Sequence, residues 1–153
     1  MKKLLIIPAF CILFIACTKK GTPPPTTKIV GKWITTADTL QVYFNGKLEE
    51  TQPFTEALYQ LDDYQFNSDG TVIITNHSDP NIKMTATYIV QGNDMTFNHP
   101  TQVVNGVTIT AYTQDITIKE ITSNSLVIVY NSSSVENGIT ETGAQINYMT
   151  KVF

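Results

Sequence analysis

The chain has 153 residues, and 10 basic against 13 acidic residues give it a formal charge of −3 at pH 7. All of the basic residues are lysines, because the chain contains no arginine. A mildly acidic chain of this kind lacks the basic surface that nucleic-acid binding requires, so we expect no nucleic-acid partner. The length suits one main domain with a hydrophobic core of its own.

The first residues have the order of an export signal. Lys2 and Lys3 precede an apolar run over residues 4–16, which ends at Cys17. A membrane-spanning helix needs about 20 residues, so this run is too short to cross a bilayer. A positive flank, a short apolar stretch and a small residue before the cleavage point are typical of a signal peptide. We therefore predict a signal peptide over residues 1–16.

The segment Leu13-Phe14-Ile15-Ala16-Cys17 resembles the lipobox of bacterial lipoproteins. In that family the signal is cleaved before the cysteine, whose sulfur then carries a diacylglycerol and whose amino group is usually acylated too. The resemblance implies a membrane anchor through acyl chains, such as palmitate, on Cys17. A plain secretory signal or an uncleaved anchor is the alternative.

The residues after Cys17 bear on location. Thr18 stands where lipoproteins retained at the inner membrane often carry aspartate, and lysines rather than acidic residues follow it. By this resemblance we expect a lipid-anchored protein of the cell envelope, at the outer membrane and facing the periplasm. Residues 17–28 include Pro23-Pro24-Pro25, which favours an extended polyproline II tether of roughly 30 Å.

The remaining domain, residues 29–153, is predicted to fold without a disulfide. Cys11 lies in the predicted signal peptide and Cys17 is the predicted lipid site, so no cysteine is left for a bridge. Cleavage of the signal peptide removes Lys2 and Lys3, so the mature chain from Cys17 onward has eight lysines against 13 acidic residues and a formal charge of −5. The fold must therefore depend on its hydrophobic core.

Short runs of β-branched and aromatic residues, separated by turn sequences, predict an all-β antiparallel domain of about eight strands. The predicted strands are Ile29–Thr36, Leu58–Asn67, Thr71–Asn76, Ile82–Gln91, Met95–Asn98, Gly106–Ile121, Ser125–Ser132 and Gly143–Phe153. The turns contain Asn, Asp, Gly and Pro, including Asn105-Gly106 and Asn137-Gly138. A closed barrel and an Ig-like β-sandwich of two stacked sheets both fit this pattern.

The segment 37–57 is less regular. Leu40–Phe44 followed by Asn45-Gly46 indicates one arm of a hairpin, whereas Pro53 and the apolar residues after it have the spacing of a short helical turn. We expect this segment to lie across one end of a barrel as a lid.

Alternation within the strands predicts which side chains face the interior. The predicted inward residues are Ile29, Trp33, Tyr64, Phe66, Val72, Ile74, Met84, Tyr88, Ile116, Ile118, Leu126, Ile128, Tyr130, Ile146 and Tyr148.

Gly31-Lys32-Trp33 at the start of the first predicted strand is similar to the Gly-x-Trp motif of lipocalins. The segments 64–71, 86–93 and 118–126 resemble bacterial lipocalin-like lipoproteins. The resemblance implies an eight-stranded barrel that binds a small hydrophobic or amphipathic ligand. In lipocalins an arginine from near the final strand covers the motif tryptophan; since this chain has no arginine, we expect Lys151 to stack on Trp33.

The resemblance makes the inward aromatic residues candidates for ligand contact, although ordinary core packing is the alternative for each of them. The candidates are Trp33, Tyr64, Phe66, Tyr88, Tyr130 and Tyr148.

No pattern in the sequence predicts catalysis, a cofactor or a metal. His77 and His99 lie in predicted turns without a second histidine at metal-ligand spacing, so surface or turn roles are expected. Asp62 and Asp63 are adjacent in a predicted strand and should point to opposite faces, which argues against an acid–base pair. Asn67-Ser-Asp-Gly70 has some calcium-loop character but lacks the further ligands, so it is predicted to be a hairpin turn.

Two main functions remain. The first is a membrane-anchored lipocalin-like protein that binds a small ligand. The alternative is a non-enzymatic structural or protein-interaction lipoprotein of the envelope with a filled core. An enzyme would need a site that the sequence does not reveal.

Overall fold

A computed structural model describes residues 28–54 and 61–153. The predicted signal peptide, Cys17 and the tether up to residue 27 lie outside the described residues. The strands are β1 (Gly31–Phe44), β2 (Lys47–Phe54), β3 (Asp62–Phe66), β4 (Thr71–Asn76), β5 (Lys83–Gln91), β6 (Asp94–His99), β7 (Gln102–Val104), β8 (Val107–Ile109), β9 (Tyr112–Ile121), β10 (Ser125–Glu136) and β11 (Ile139–Val152). Within the described residues, no helix has the length and hydrophobicity that a membrane span needs.

Eight strands form one closed antiparallel sheet. They follow each other around a ring in the order β1-β3-β4-β5-β6-β9-β10-β11, and β11 pairs back with β1 to close it. The ninth strand, β2, pairs with residues 38–44 of β1. The predicted all-β lipocalin-like barrel is confirmed, and the alternative of two stacked sheets is wrong because a single sheet closes on itself.

Asn-Gly turns join three of the hairpins. Asn45-Gly46, Asn105-Gly106 and Asn137-Gly138 all have positive φ at both residues. A two-residue hairpin of this type requires left-handed backbone at both central positions, which asparagine and glycine tolerate best. The turns predicted at these positions and at Asn67–Gly70 are confirmed.

The structure differs from the predicted strands in three regions. The strands predicted to end at Ser132 and to begin at Gly143 extend to Glu136 and from Ile139, as β10 and β11. Residues 37–54 form the predicted hairpin around Asn45-Gly46, as the end of β1 and the whole of β2, and this hairpin extends the sheet instead of lying across one end as a lid. Pro53 lies within β2, and the helical turn predicted after it falls on residues 55–60, outside the described residues. The single strand predicted over 106–121 is two strands, because β8 pairs with β7 in a separate hairpin. Gln102 in this hairpin donates to and accepts from the Thr85 backbone, at 3.2 and 3.0 Å.

Large apolar side chains fill one end of the barrel, which we call the closed end. Trp33, Phe66, Phe97, Leu126 and Met149 are among the most completely buried side chains of the described residues. The Phe66 ring meets the Tyr88 ring edge-on with centroids 5.1 Å apart, a favourable aromatic geometry. This packing supplies the hydrophobic core that the lack of disulfides requires.

Trp33 seals the closed end. Its indole N–H donates to the Ile29 carbonyl at 2.7 Å, and the Lys151 ammonium lies 5.1 Å from the centre of its ring. The same ammonium donates to the Val30 carbonyl at 2.7 Å and to the Lys28 carbonyl at 3.3 Å. The expected contact between Lys151 and Trp33 is therefore confirmed.

We call the opposite end of the barrel the open end. Between the two ends, β1 contains a β-bulge. A β-bulge between Thr35 and Ala37 shifts the register against β11, so that Trp33 and Asp38 both face the interior although their numbers differ in parity. Beyond this level β1 and β11 continue past the ring and, with β2 and the end of β10, form a four-stranded extension.

Candidate functional site

A cavity of about 150 Å³ lies inside the open end of the barrel. Seven ring strands line it with inward side chains near the open end, because alternation places every second side chain of a strand on the inner face. Its lining is mainly polar: Asp62, Tyr64, Ile74, Met84, His99, Tyr112, Gln114, Tyr130, Gln145 and Asn147.

Two tyrosines form the floor between this cavity and the packed core. The Tyr130 hydroxyl donates to the Tyr64 hydroxyl at 2.8 Å, across the barrel from β10 to β3. Burial, more than any other influence, raises the pKa of both phenols, that of Tyr64 far above its usual value. Both side chains therefore stay neutral at physiological pH and act as hydrogen-bonding groups.

The wall formed by β1 and β11 carries a buried carboxylate beside a buried amide. Asp38 and Asn147 are directly opposite in the β1–β11 pairing, and each is no more than 3% exposed. Gln145 donates its amide to Asp38 Oδ2 at 2.6 Å. Asp38 Oδ1 and Asn147 Oδ1 accept no hydrogen bond of normal geometry from any described residue. Burial raises the pKa of Asp38, and hydrogen bonding from the Gln145 side chain and from the Thr39 backbone opposes this increase.

The Asp62 side chain faces the same cavity from β3. Burial is the main reason that its pKa rises to about 6, and the nearby charges of Asp63 and Asp38 raise it further. Asp63 points to the outer face, where it lies 3.0 Å from His77 Nδ1 and accepts the Thr35 amide at 3.1 Å. The prediction that the two adjacent carboxylates face opposite sides of the strand is confirmed.

His99 occupies a position that the sequence did not indicate. It is the last residue of β6 and is 3% exposed, so the expectation of a surface or turn role is wrong. Its ring stacks on Tyr112, with centroids 4.2 Å apart and planes at 6°. Burial lowers the pKa of the ring, and the nearby Gln114 side chain raises it by a smaller amount. Neither ring nitrogen has a hydrogen bond of normal geometry with a described residue. The ring is neutral at pH 7 and offers one donor and one acceptor.

The six aromatic candidates separate into three groups. Tyr64 and Tyr130 line the cavity. Trp33, Phe66 and Tyr88 belong to the packed core below it, where the Tyr88 hydroxyl donates to the Asn67 carbonyl at 2.8 Å. The placement of Tyr148 in the interior was wrong: it is 40% exposed on the outer face, together with Ile146, because Asn147 and Met149 take the inward positions of β11.

Other depressions lie on the outside of the sheet. Two of them have volumes of about 310 Å³ each, and a third, around Asp63 and His77, has about 270 Å³. No group of three His, Cys, Asp or Glu side chains among the described residues has the arrangement that a metal ion needs. The open-end cavity is therefore the site where buried polar atoms without partners converge.

Fold and site together define an antiparallel eight-stranded lipocalin-like barrel with a packed closed end and a polar cavity at its open end. No protein-family model, curated protein or solved structure matches the chain.

Proposed function

We propose that this protein is a lipid-anchored protein of the cell envelope whose barrel binds a small ligand in the open-end cavity. The observation that carries the binding function is the set of buried polar atoms without a hydrogen bond of normal geometry on the lining residues His99 and Asn147, and on Asp38, which lies behind the lining residue Gln145. A buried polar group without a hydrogen bond lowers stability, by about 1–3 kcal/mol in mutational studies, and a bound ligand would remove this cost.

The lining favours a ligand with hydrogen-bonding groups over a purely apolar one. Only Ile74 and Met84 of the lining residues have wholly apolar or thioether side chains, whereas the apolar half of the interior is already filled. An amphipathic ligand can place its polar groups against Asp62 and Asn147 and its apolar part against the tyrosine rings.

Native mass spectrometry of the intact protein, extracted from membranes in mild detergent, tests ligand binding. We expect a small molecule to be retained by the wild type and lost from Asn147→Leu, which removes an acceptor from the cavity wall. Tyr148→Leu, at the next residue but on the outer face, is the matched control and should keep the ligand. Absence of any bound molecule, together with no stabilisation by a small-molecule library, would contradict the binding function.

The anchor rests on the resemblance of Leu13–Cys17 to a lipobox. We expect radiolabelled palmitate to be incorporated into the wild type and not into Cys17→Ala, and the variant to move from the membrane fraction to the soluble periplasm. Cys11→Ala changes the other cysteine and should retain both label and location. A Cys17→Ala protein that remained in the membrane would contradict lipid attachment at this residue.

Contact with another envelope protein is a second candidate function. The four-stranded extension carries exposed apolar side chains near its tip, including Phe44, Val135 and Ile139. A photo-crosslinking amino acid at Val135 should capture a discrete partner if this surface is an interface, and one at the exposed Lys119 on β9 serves as the control. Equal crosslinking patterns at both sites would count against this function.

A further inference from the structure

We infer that the open-end cavity selects a small organic cation, such as a protonated amine, over neutral and anionic molecules of the same size. This inference rests on the proposed ligand binding and adds the chemical class of the ligand.

The charges around the cavity have one sign. Asp62 lines it, and the carboxylate of Asp38 lies directly behind the lining residue Gln145, which donates a hydrogen bond to it. No lysine is among the lining residues, and the chain has no arginine at all. His99, the one lining residue that could become a cation near neutral pH, is kept neutral by burial. An anion would therefore meet carboxylates without a compensating positive charge, whereas a cation would supply the missing one.

The hydrogen-bonding groups at the wall have the same preference. Asp38 Oδ1 and Asn147 Oδ1 accept no hydrogen bond of normal geometry from the described residues, and they belong to directly opposed residues of β1 and β11. An ammonium group carries three N–H donors and no acceptor, so it suits a wall whose unpaired polar atoms on Asn147 and on the neighbouring Asp38 are acceptors. A carboxylate has only acceptors and would leave both oxygens unpaired.

The volume of the cavity and its aromatic lining favour an organic cation over a metal ion. A cavity of about 150 Å³ is comparable in volume to an engineered apolar cavity that holds benzene. The described residues offer no three-ligand cluster for a metal ion. The stacked His99 and Tyr112 rings, together with Tyr64 and Tyr130, present aromatic surface that attracts a positive charge and packs against a flat ligand.

Isothermal titration of the intact protein in detergent with three similarly sized probes tests the inference. The probes are benzylamine, benzyl alcohol and benzoate at pH 7.5, which are cationic, neutral and anionic respectively. We expect benzylamine to bind at least tenfold more tightly than benzyl alcohol, and benzoate not to bind measurably.

Substitution of a carboxylate beside the cavity tests whether that charge causes the preference for the cationic probe. Asp38→Asn should reduce benzylamine affinity at least tenfold while leaving the affinity for benzyl alcohol nearly unchanged. Asp115→Asn, an exposed carboxylate on the outer face of β9, is the matched control and should bind benzylamine as the wild type does. If Asp38→Asn does not fold, Asp62→Asn replaces it, and the probe series on the wild type still decides.

Each of the other outcomes overturns the inference. Equal affinities for benzylamine and benzyl alcohol would show ligand binding without charge selection, so the proposed binding function would stand and the cation inference would fail. Preference for benzoate, or binding of none of the three probes, would likewise overturn it. The binding function itself is judged separately, by the retained molecule in native mass spectrometry.

Discussion

The two ends of the barrel differ in whether their buried polar groups have hydrogen-bond partners. At the closed end the Trp33 indole N–H and the Lys151 ammonium both donate hydrogen bonds to backbone carbonyls. At the open end Asp38, His99 and Asn147 bury polar atoms that no described residue satisfies. The same strands run through both ends, so the difference lies in the side chains. The closed end therefore supplies stability, whereas the unpaired polar atoms at the open end cost some, as the proposed binding site would require.

The largest effect should come from removing the side chain that seals the closed end. Trp33→Ala should lower the free energy of unfolding by about 3–5 kcal/mol, because it leaves a large cavity in a packed region. Urea denaturation followed by circular dichroism measures it. Tyr148→Ala, an aromatic truncation on the outer face, is the control and should cost under about 1 kcal/mol. Similar losses in both variants would mean that the closed end is not the main source of stability.

At the open end we expect the carboxylate of Asp62 to make stability depend on pH. Its pKa is about 6 when folded and near 3.8 when unfolded, so its stabilising contribution is fully present below about pH 3.8 and is lost as pH rises through about 6. Between pH 3.5 and 7.5 the wild type should therefore lose about 2–3 kcal/mol relative to Asp62→Asn.

Urea titrations of both proteins at the two pH values measure this difference. Asp115→Asn, on the outer face of β9, should follow the wild type across the same range. Parallel stability profiles for the wild type and Asp62→Asn would show that the Asp62 carboxylate is not held in a buried acidic site.

A smaller loss is expected when the cation at the closed end is removed. Lys151→Met keeps most of the aliphatic stem but removes the ammonium from the Trp33 ring and from two carbonyls, which should cost about 1–2 kcal/mol. Thermal denaturation compares it with Lys119→Met, an exposed position on β9 that should change little. If the two variants melt alike, Lys151 does not contribute to closing this end.

The smallest effect concerns the floor of the cavity. Tyr130→Phe removes the hydroxyl that donates to Tyr64 and should cost about 1 kcal/mol, the usual value of one such hydrogen bond. Tyr43→Phe, which removes a hydroxyl bonded to Gln41 on the extension, should cost only a few tenths. A stabilised Tyr130→Phe protein would show that the tyrosine pair, too, belongs to the part of the barrel where stability is sacrificed.

The closed end was largely predictable from the sequence, because its residues follow the simple alternation of apolar and polar positions. Trp33, Phe66 and Leu126 all lie inside as that alternation predicts. The contact of Lys151 with Trp33 was predictable as well, from the lipocalin resemblance.

Most of the open end was missed for two physical reasons. The β-bulge in β1 changes which residues face inward, so simple alternation could not place Asp38 inside. In β11 apolar residues occur on both faces, and Ile146 and Tyr148 were taken for the inward set. The Asn137-Gly138 turn held the missing information: a two-residue turn pairs Glu136 with Ile139, and this register places Asn147 opposite the inward Ile128.

The contacts of Lys151 with Lys28 and Val30 also bear on how the molecule would be oriented. They fix the point where residue 28 meets the barrel at the closed end, so under the proposed lipidation of Cys17 the membrane attachment lies on the side of that end. The mouth of the cavity would then open away from the membrane, toward the aqueous compartment. A ligand would arrive from solution rather than by lateral diffusion out of the lipid, in agreement with a polar, charged lining.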